Sequence, residues 1–505
     1  MRLPFPERIP VRRAAAFAVA LYIVQRLEGT GAYFAAGCFL FILISTLAFN
    51  TAGGLTRASG AYVFFYSTLV VIVGVCYKAF LGEPADSHLL DPRTDIEVYV
   101  AGISAMFVAA YVSRILSRKT GLLEHVLKDS QMYRASIGCM AFGGLGSFVL
   151  ALFGQSAVWL ETAFTQINYL IPLGIIIGVF HQVRRSGGRR SVDPFIVGAI
   201  VYFFVFFGLA AFSKQGMLTP LMCWAVAIAA QGYRLSKVQM AGCVLAAFIL
   251  FHYLVPYAQY GRSQVTESDQ SFSAKIAVGL PLLENAGQTR QTYMSQQKEL
   301  PPGPLGEYFD SPQGFWDRLQ FISVDDSIIN ITDQGKVFGL SPLKFEMLNS
   351  IPHFLWHNKP SINFGMMFVH EIDPYTSSDD TTTGISFSPT SEAYHMARWT
   401  GVLVIAPLVW LAFFVVWDSL LGKLNSTPWG LIGLVLIAHI APEGALHGVI
   451  HLITYGSETL IFCALFTTWI APALGDMLIG PGKAERGERP IRPALSALRE
   501  ESGRH

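Results

Sequence analysis

Charged residues are scarce in this chain: only 14% of its 505 residues are Asp, Glu, Lys or Arg, whereas 52% are hydrophobic. An ordinary soluble protein carries about 25% charged residues. The net charge of +1 also leaves no excess of one sign that would select nucleic acid or another polyanion. The composition therefore points away from a soluble domain and away from a nucleic-acid partner.

Disulfide and nucleotide-binding patterns are missing as well. All six cysteines lie in apolar blocks, at Cys38, Cys76, Cys139, Cys223, Cys243 and Cys463. This placement excludes a disulfide-stapled ectodomain and a zinc ribbon. The sequence contains no GxxxxGK[ST], GxGxxG or HExxH pattern, so no bound nucleotide is predicted. The energy for any reaction must then come from a gradient or from an activated substrate.

What the chain has instead is a series of long apolar runs. Residues 195–212 contain no charged side chain, and a bilayer core requires about 20 such residues in a helix. The runs are unbroken rather than alternating, which favours helices over a β-barrel. About twelve spans are predicted, with cores at Ala14–Leu27, Tyr33–Phe49, Ala61–Leu81, Val98–Leu116, Ile137–Phe153, Ala157–Phe180, Pro194–Phe212, Met217–Gln231, Met240–Val255, Gly401–Trp417, Trp429–Ala445 and Leu452–Leu474.

Lysine and arginine are distributed unevenly between the segments that join these spans. With the N-terminus inside, 23 of the 36 basic residues fall in inside segments, four in short outside segments and nine in one long outside loop. The positive-inside rule therefore predicts that both termini are cytoplasmic. The first apolar run follows Arg12 and Arg13 and has no clean cleavage site after it, so we interpret it as a retained helix.

The long loop extends from about Pro256 to Arg398 and is too long for an ordinary connection. It contains apolar blocks, and Ser341-Pro342 has the residue types of a helix N-cap followed by proline at the first helical position. We therefore expect an all-α polytopic membrane protein with a folded, mostly helical loop between helices 9 and 10. The predicted organisation is residues 1–255 with helices 1–9, 256–398 as the outer cap loop, 399–476 with helices 10–12, and 477–505 as a disordered cytoplasmic tail.

Four basic residues are placed near the outer face by this topology. Lys214 and Arg262 lie at the outer ends of two spans, and Arg290 and Arg318 lie in the cap. Basic groups that converge at one site suit a phosphate or diphosphate. The alternative is that Lys214 and Arg262 only extend their charges to the membrane interface.

A second candidate is the segment FSPTSEAYHMARW before the tenth span. Ser388 and Pro389 predict the start of a helix that enters the membrane directly. Glu392, His395 and Trp399 then share one face of that helix. A carboxylate and an imidazole at a membrane mouth are suited to general base chemistry. The alternative is that Glu392 caps the helix and Trp399 belongs to an aromatic belt.

A third candidate is a stripe of ionisable residues at four-residue steps, His439, Glu443, His447 and His451. Histidine and glutamate are zinc ligands, but proline and glycine interrupt this helix. A polar patch lining an outer cavity is therefore favoured over a metal site. Glu161 and Glu458 either line the same cavity or form hydrogen bonds between helices.

The order of several short motifs resembles that of bacterial O-antigen polymerases, the Wzy-type polymerases of oligosaccharide repeat units. The resemblance covers about the C-terminal three-fifths of the chain. In that family a serine and a basic residue end an outer span, an Ile-Pro-aromatic stretch closes in Trp-x-x-Lys-Pro, and Glu-x-Tyr precedes a glycine in the next span. The matching residues here are Ser213-Lys214, Ile351-Pro352, Trp356 to Pro360, Glu392-Ala393-Tyr394 and Gly401.

The resemblance implies a glycosyltransferase of the bacterial inner membrane that joins undecaprenyl-diphosphate-linked oligosaccharides at its periplasmic face. The four basic residues named above would neutralise the departing diphosphate, and Glu392 or His395 would take the acceptor proton. The acceptor site or cavity would be lined by Tyr394, Lys359, His357, Glu443, His447 and Glu458. No cofactor or metal is expected; membrane lipids and a chain-length regulator are expected partners. An O-antigen ligase is a close rival, and a lipid-linked oligosaccharide flippase or secondary transporter is the alternative of another class.

Overall fold

The computed structural model describes residues 1–124, 127–153, 165–265, 272–299, 308–351, 356, 364–372 and 384–480. Within these ranges the regular secondary structure is helical, apart from an isolated bridge between Arg2 and Arg234. In chain order the main helices are α1 Val11–Leu27, α2 Ala32–Ala52, α3 Ala58–Leu81, α4 Pro92–Leu116, α5 Met132–Phe153, α6 Gln166–Arg185, α7 Pro194–Leu209, α8 Lys214–Ala230, α9 Lys237–Gln264, α10 Phe272–Glu284, α11 Ala286–Glu299, α12 Ile322–Asp333, α13 Ser341–Asn349, α14 Phe364–Ile372, α15 Pro389–Thr400, α16 Ala406–Leu421, α17 Pro428–Glu443 and α18 Ala445–Ile479.

Seven helical segments in the described ranges are long and apolar enough to cross a membrane. They are α2, α3, α4, α6, α9, the segment Pro389–Ser426 and α18. The chain is therefore a multi-pass helical membrane protein. Several other apolar helices are shorter: α1 and α8 have 17 residues each, and α17 has 16. The number of twelve crossings stays a prediction.

The helices pack around fully buried aromatic side chains, including Trp410, Trp417 and Trp429. Lipid is as apolar as these side chains, so close packing rather than exclusion from water holds membrane helices together. Gly138 on α5 illustrates this, because a Cβ atom there would lie 2.0 Å from the backbone oxygen of Ala471 on α18. Other apolar side chains face outward, as on the exposed surface of α9.

Contacts between loops identify one end of the helix bundle. The N-terminal ammonium of Met1 donates a hydrogen bond to the backbone oxygen of Leu235 at 2.8 Å, before α9. The backbone N–H of Leu123, which follows α4, donates to Leu420 at the end of α16 at 2.9 Å. The N-terminus, the connection between α8 and α9, and the segments after α4 and α16 are thus joined through contacts at the ends of helices.

The opposite end of α4 carries part of the predicted cap. The Tyr308 hydroxyl donates to the backbone oxygen of Ala85 at 2.9 Å. The carboxylate of Asp326 on α12 accepts hydrogen bonds from the backbone N–H groups of Leu90 and Asp91. α12 is therefore fixed to the turn between α3 and α4.

The described parts of the cap are mostly helical, with α10 to α14 between α9 and α15. Ser341 begins α13 instead of capping it, since Leu340 occupies the N-cap position. α9 continues to Gln264 and α18 to Ile479, so both helices extend past the predicted domain borders. Most of the predicted tail lies outside the described residues.

Candidate active site

The start of α15 has the cap that the sequence predicts. The Ser388 side chain accepts a hydrogen bond from the backbone N–H of Ser391 at 3.4 Å, and Pro389 stands in the first turn. Residues 389–396 are all buried. Eight residues of this helix therefore pack inside the protein before the chain turns into the membrane.

The prediction of a helix that runs directly into the membrane is wrong, because α15 is kinked. Ala397 and Arg398 have non-helical backbone angles, and φ of Arg398 is +50°. A positive φ in a non-glycine residue is strained. The guanidinium of Arg398 donates to the backbone oxygen of Thr332 at 3.0 Å, which fixes this conformation.

Gly401 allows the chain to fold back closely after this kink. A Cβ atom at position 401 would lie 1.7 Å from the backbone oxygen of Ala393, a distance that no side chain permits. The first two turns of α15 therefore pack against the start of the following membrane helix. Trp399 lies beyond the kink and contacts Tyr394 edge-on, with ring centroids 5.4 Å apart.

Glu392 is fully buried on this short helix, yet both of its carboxylate oxygens have partners. Oε2 accepts hydrogen bonds from the backbone N–H groups of Leu446 at 2.6 Å and His447 at 3.0 Å. These donors stand at the start of α18, where backbone N–H groups have no partner within the helix. The break before α18 is sharp, since Ala445 has φ of +51°. Glu392 thus accepts the hydrogen bonds of backbone N–H groups that begin a different helix.

The same carboxylate also orients the His447 side chain. Oε1 of Glu392 lies 2.7 Å from Nδ1 of His447. A carboxylate only accepts hydrogen bonds, so Nδ1 carries the proton and Nε2 of the neutral ring presents a lone pair. Phe364 stacks on the imidazole with ring centroids 3.9 Å apart. Among the described residues, no group forms a hydrogen bond with Nε2, and the His447 side chain is 15% exposed.

A buried carboxylate that fixes the tautomer of an accessible imidazole is an arrangement suited to proton transfer. A second carboxylate, Glu346 on α13, contacts the next turn of α18. Glu346 is itself buried and contacts Nδ1 of His451 at 3.1 Å. Two histidines at the start of α18 therefore each contact one buried acid, Glu392 for His447 and Glu346 for His451.

The predicted histidine stripe is divided by the break before α18. His439 and Glu443 form the i,i+4 contact, with Nδ1 and Oε1 2.5 Å apart and both side chains about two-fifths exposed. His447 and His451 instead contact acids from other helices. No group of three or more potential metal ligands lies together in the described part of the chain. Glu458 on α18 is exposed.

Tyr394 and His395 connect α15 to α12. The Tyr394 hydroxyl donates to Oδ1 of Asp333 at 2.7 Å. Nδ1 of His395 lies 2.7 Å from the Thr332 hydroxyl, and its ring contacts Phe338 edge-on. Nε2 of His395 is buried and has no hydrogen-bond partner within the described residues. His395 is thus enclosed between two helices, while His447 is partly accessible.

The structure brings Arg262 next to the residues that precede Lys214. The Arg262 guanidinium donates to the backbone oxygen of Phe212 at 3.0 Å. Ser213 follows and caps α8 through the backbone N–H of Gly216, and Lys214 is the first residue of that helix. Arg290 lies on α11, which packs against α9 and brings its charge near His252.

The other predicted site residues are not described in side-chain detail. Arg318 ends the short helix Trp316–Arg318. His357, Lys359 and Glu161 lie outside the described residues.

Asp325 on α12 is a central residue that the sequence prediction missed. Its Oδ1 accepts hydrogen bonds from the Ser388 backbone N–H at 2.9 Å and the Ser391 hydroxyl at 2.6 Å. Its Oδ2 accepts from the Tyr99 hydroxyl on α4 at 2.8 Å. Burial raises the pKa of Asp325 to about 6, although these hydrogen bonds oppose the shift. Two adjacent acids in the apolar segment ISVDDSIINIT were the available signal, since one of them had to face the core.

Comparisons of the chain with protein-family models, with curated proteins and with solved structures find no match. The resemblance to O-antigen polymerases rests on the sequence motifs, and the assignment of chemistry rests on the geometry of the site.

Proposed function

We propose that this protein is a membrane glycosyltransferase that polymerises lipid-diphosphate-linked oligosaccharides at the outer face of a bacterial inner membrane. The observation that carries the proposal is the Glu392–His447 pair, in which a buried carboxylate presents Nε2 of a partly accessible imidazole. The pair lies beside the helical cap, and its carboxylate belongs to the Glu-x-Tyr motif that resembles the polymerase family.

The proposed topology has twelve crossings, with both termini cytoplasmic and the cap outside. Contacts at the two ends of α4 support this sidedness. The N-terminus and several arginine-rich connections meet at one end, where Arg184 also contacts Asp129. The cap and Asp326 meet the chain at the other end. Basic connections are retained on the cytoplasmic side of membrane proteins.

The proposed reaction is a substitution at the anomeric carbon of the donor sugar. The acceptor hydroxyl oxygen forms the new glycosidic bond, and the bond between the anomeric carbon and the diphosphate oxygen breaks. Nε2 of His447 takes the hydroxyl proton, and the electron pair leaves with the lipid diphosphate. Glu392 stabilises the imidazolium that forms, as a buried acid beside a catalytic histidine does. This chemistry moves the proposed base from Glu392 itself to the histidine that it orients.

Basic residues supply the charge that the leaving group requires. Lys214 and Arg262 lie together at the start of α8, and α11 places Arg290 against α9 nearby. α8 packs against α17, whose last residue, Glu443, precedes the turn to His447. Electrostatic stabilisation of a departing anion is often the largest single contribution to such catalysis.

The direct test is a purified system with a single lipid-linked oligosaccharide as donor and acceptor. A polymerase converts it into a ladder of longer lipid-linked products and releases lipid diphosphate, with no nucleotide and with a chelator present. A ligase gives no ladder unless a lipid A core acceptor is added, and a transporter moves the substrate across a vesicle without lengthening it. Either of these two results would contradict the proposal.

A further inference from the structure

A cavity of about 750 Å³ opens at the end of the bundle that carries the N-terminus, opposite the Glu392–His447 pair. It lies where α1 and α3 begin and where α2 and α4 end. Four of its lining residues are cationic, namely Arg8, Arg57, Arg114 and Lys423, and Glu7 is the acid among the lining residues. The cavity therefore has an excess of three positive charges.

Three of the four cations form no ion pair with any described residue. The Arg57 guanidinium donates to the backbone oxygens of Asp418 and Lys119 at 3.4 and 3.2 Å. The buried carboxylate of Asp418 also interacts with Arg57, so the charge of this cation is partly compensated. The side chains of Arg8, Arg114 and Lys423 form no hydrogen bond or ion pair with any other described residue. Like charges in one recess repel one another, and an anion that joins these three cations relieves the repulsion.

The rim of the cavity indicates where that anion comes from. Leu47 on α2 is 42% exposed and Val11 on α1 is 44% exposed, and both line the same cavity. Thr51 and Asn50 continue the polar wall one turn further along α2. An exposed apolar edge next to a basic recess at helix ends matches a lipid, whose acyl chains and headgroup require these two surfaces.

We propose that this cavity binds the phosphate group of an anionic phospholipid from the adjoining leaflet. Arg114 and Lys423 contact the phosphate. Arg57 holds the wall of the recess together through its hydrogen bonds to the backbone of Asp418 and Lys119. Leu47 and Val11 contact the first carbons of the acyl chains. The site is independent of the glycosyltransfer proposal, since it lies at the other end of the bundle.

The test measures lipid bound to the purified full chain in neutral detergent by native mass spectrometry. Phosphatidylglycerol is titrated, zwitterionic phosphatidylcholine is the comparison without net charge, and inorganic phosphate and diphosphate are the soluble anions. We expect the double variant Arg114→Gln/Lys423→Gln to bind phosphatidylglycerol about tenfold more weakly or worse, because two charge-assisted contacts are lost. The matched control, Arg189→Gln/Arg190→Gln, removes the same charge from exposed positions outside the cavity and should stay within about twofold of the unmodified chain.

A second variant keeps the charge and fills the space. Thr51→Trp should reduce phosphatidylglycerol binding with no change in net charge, and an unchanged elution volume on size exclusion shows that the variant folds. Equal losses in both double variants would mean that only surface charge attracts the lipid and would overturn the site. Inorganic phosphate or diphosphate that binds with the same dependence on Arg114 and Lys423, while the lipid does not, would overturn the lipid assignment.

Discussion

Glu392 and His447 are 55 positions apart in the sequence, yet Oε1 of the first accepts a hydrogen bond from Nδ1 of the second at 2.7 Å. The other carboxylate oxygen accepts hydrogen bonds from two backbone N–H groups of the turn that contains His447. One acid therefore fixes both the position of the histidine backbone and the tautomer of its ring. Substitutions of Glu392 and His447 separate these two effects.

Glu392→Gln should abolish the product ladder while the protein remains folded. The amide oxygen can still accept from the two backbone N–H groups, but an amide N–H facing Nδ1 makes that nitrogen an acceptor and moves the ring proton to Nε2. Loss of a general base costs about 10²–10⁴-fold in rate. The measurement is the initial rate of ladder formation with one lipid-linked oligosaccharide.

His447→Gln should lose activity to a similar extent. His88→Asn is the matched control, because His88 also contacts an acid, Asp310, at 2.7 Å, but at an exposed position. Asparagine tolerates the φ of +64° at this position. If His447→Gln stays active and His395→Ala is inactive, the general base is His395 and not His447.

Removal of the basic residues near the start of α8 should slow polymer formation without preventing membrane insertion. Lys214→Ala and Arg262→Ala should each reduce the rate roughly tenfold to a hundredfold, since a hydrogen bond to a charged group contributes about 1.5–3 kcal/mol. Lys214→Arg keeps the charge and should be tolerated better. Arg93→Ala is the control, because Arg93 is an exposed cation paired with Glu97. If both alanine variants make normal amounts of polymer, Lys214 and Arg262 only anchor helix ends at the membrane interface and do not bind the diphosphate.

Asp325 predicts a specific dependence of stability on pH. Burial raises its pKa from 3.8 to about 6 in the folded protein, so the folded state holds this proton more tightly than the unfolded state. The associated stability is present below about pH 4 and is lost as the pH rises through about 6, with a magnitude of roughly 3 kcal/mol. Asp325→Asn cannot ionise and should lack this decline.

The measurement is the thermal unfolding midpoint in detergent between pH 4 and 7. The unmodified chain should lose stability relative to Asp325→Asn as the pH rises, whereas Asp310→Asn, at an exposed position, should follow the unmodified chain. Parallel curves for the Asp325 variant and the unmodified chain would show that this carboxyl group titrates near its ordinary pKa.

Topology is testable without any activity assay. Reporter fusions near Ser311 should report the outer side of the membrane, and fusions near Arg189 and Pro490 the inner side. The basis is the clustering of basic residues in the connections assigned to the inside. An inner signal near Ser311 would place the Glu392–His447 pair on the cytoplasmic side and would remove the proposed access to exported lipid-linked substrates.

The sequence predicted those parts of the fold that depend on local patterns. Apolar runs located the long helices, and Ser388-Pro389 located the start of α15. The kink at Arg398 was missed because neither glycine nor proline marks it; contacts of its side chain with Thr332 hold the strained backbone. The partner of Glu392 was missed because a helical repeat relates neighbours three or four residues apart and carries no information on pairs between distant helices.

Gly401 has a consequence for how activity can be lost in variants of this chain. Its hydrogen atom occupies the space beside the backbone oxygen of Ala393, one residue after Glu392. A single methyl group at position 401 must push that turn away, and the carboxylate would be displaced from an imidazole that stays anchored in α18. Gly401→Ala would thus behave as an active-site variant although it contacts neither substrate nor base. Sequence surveys that count only catalytic side chains would overlook it.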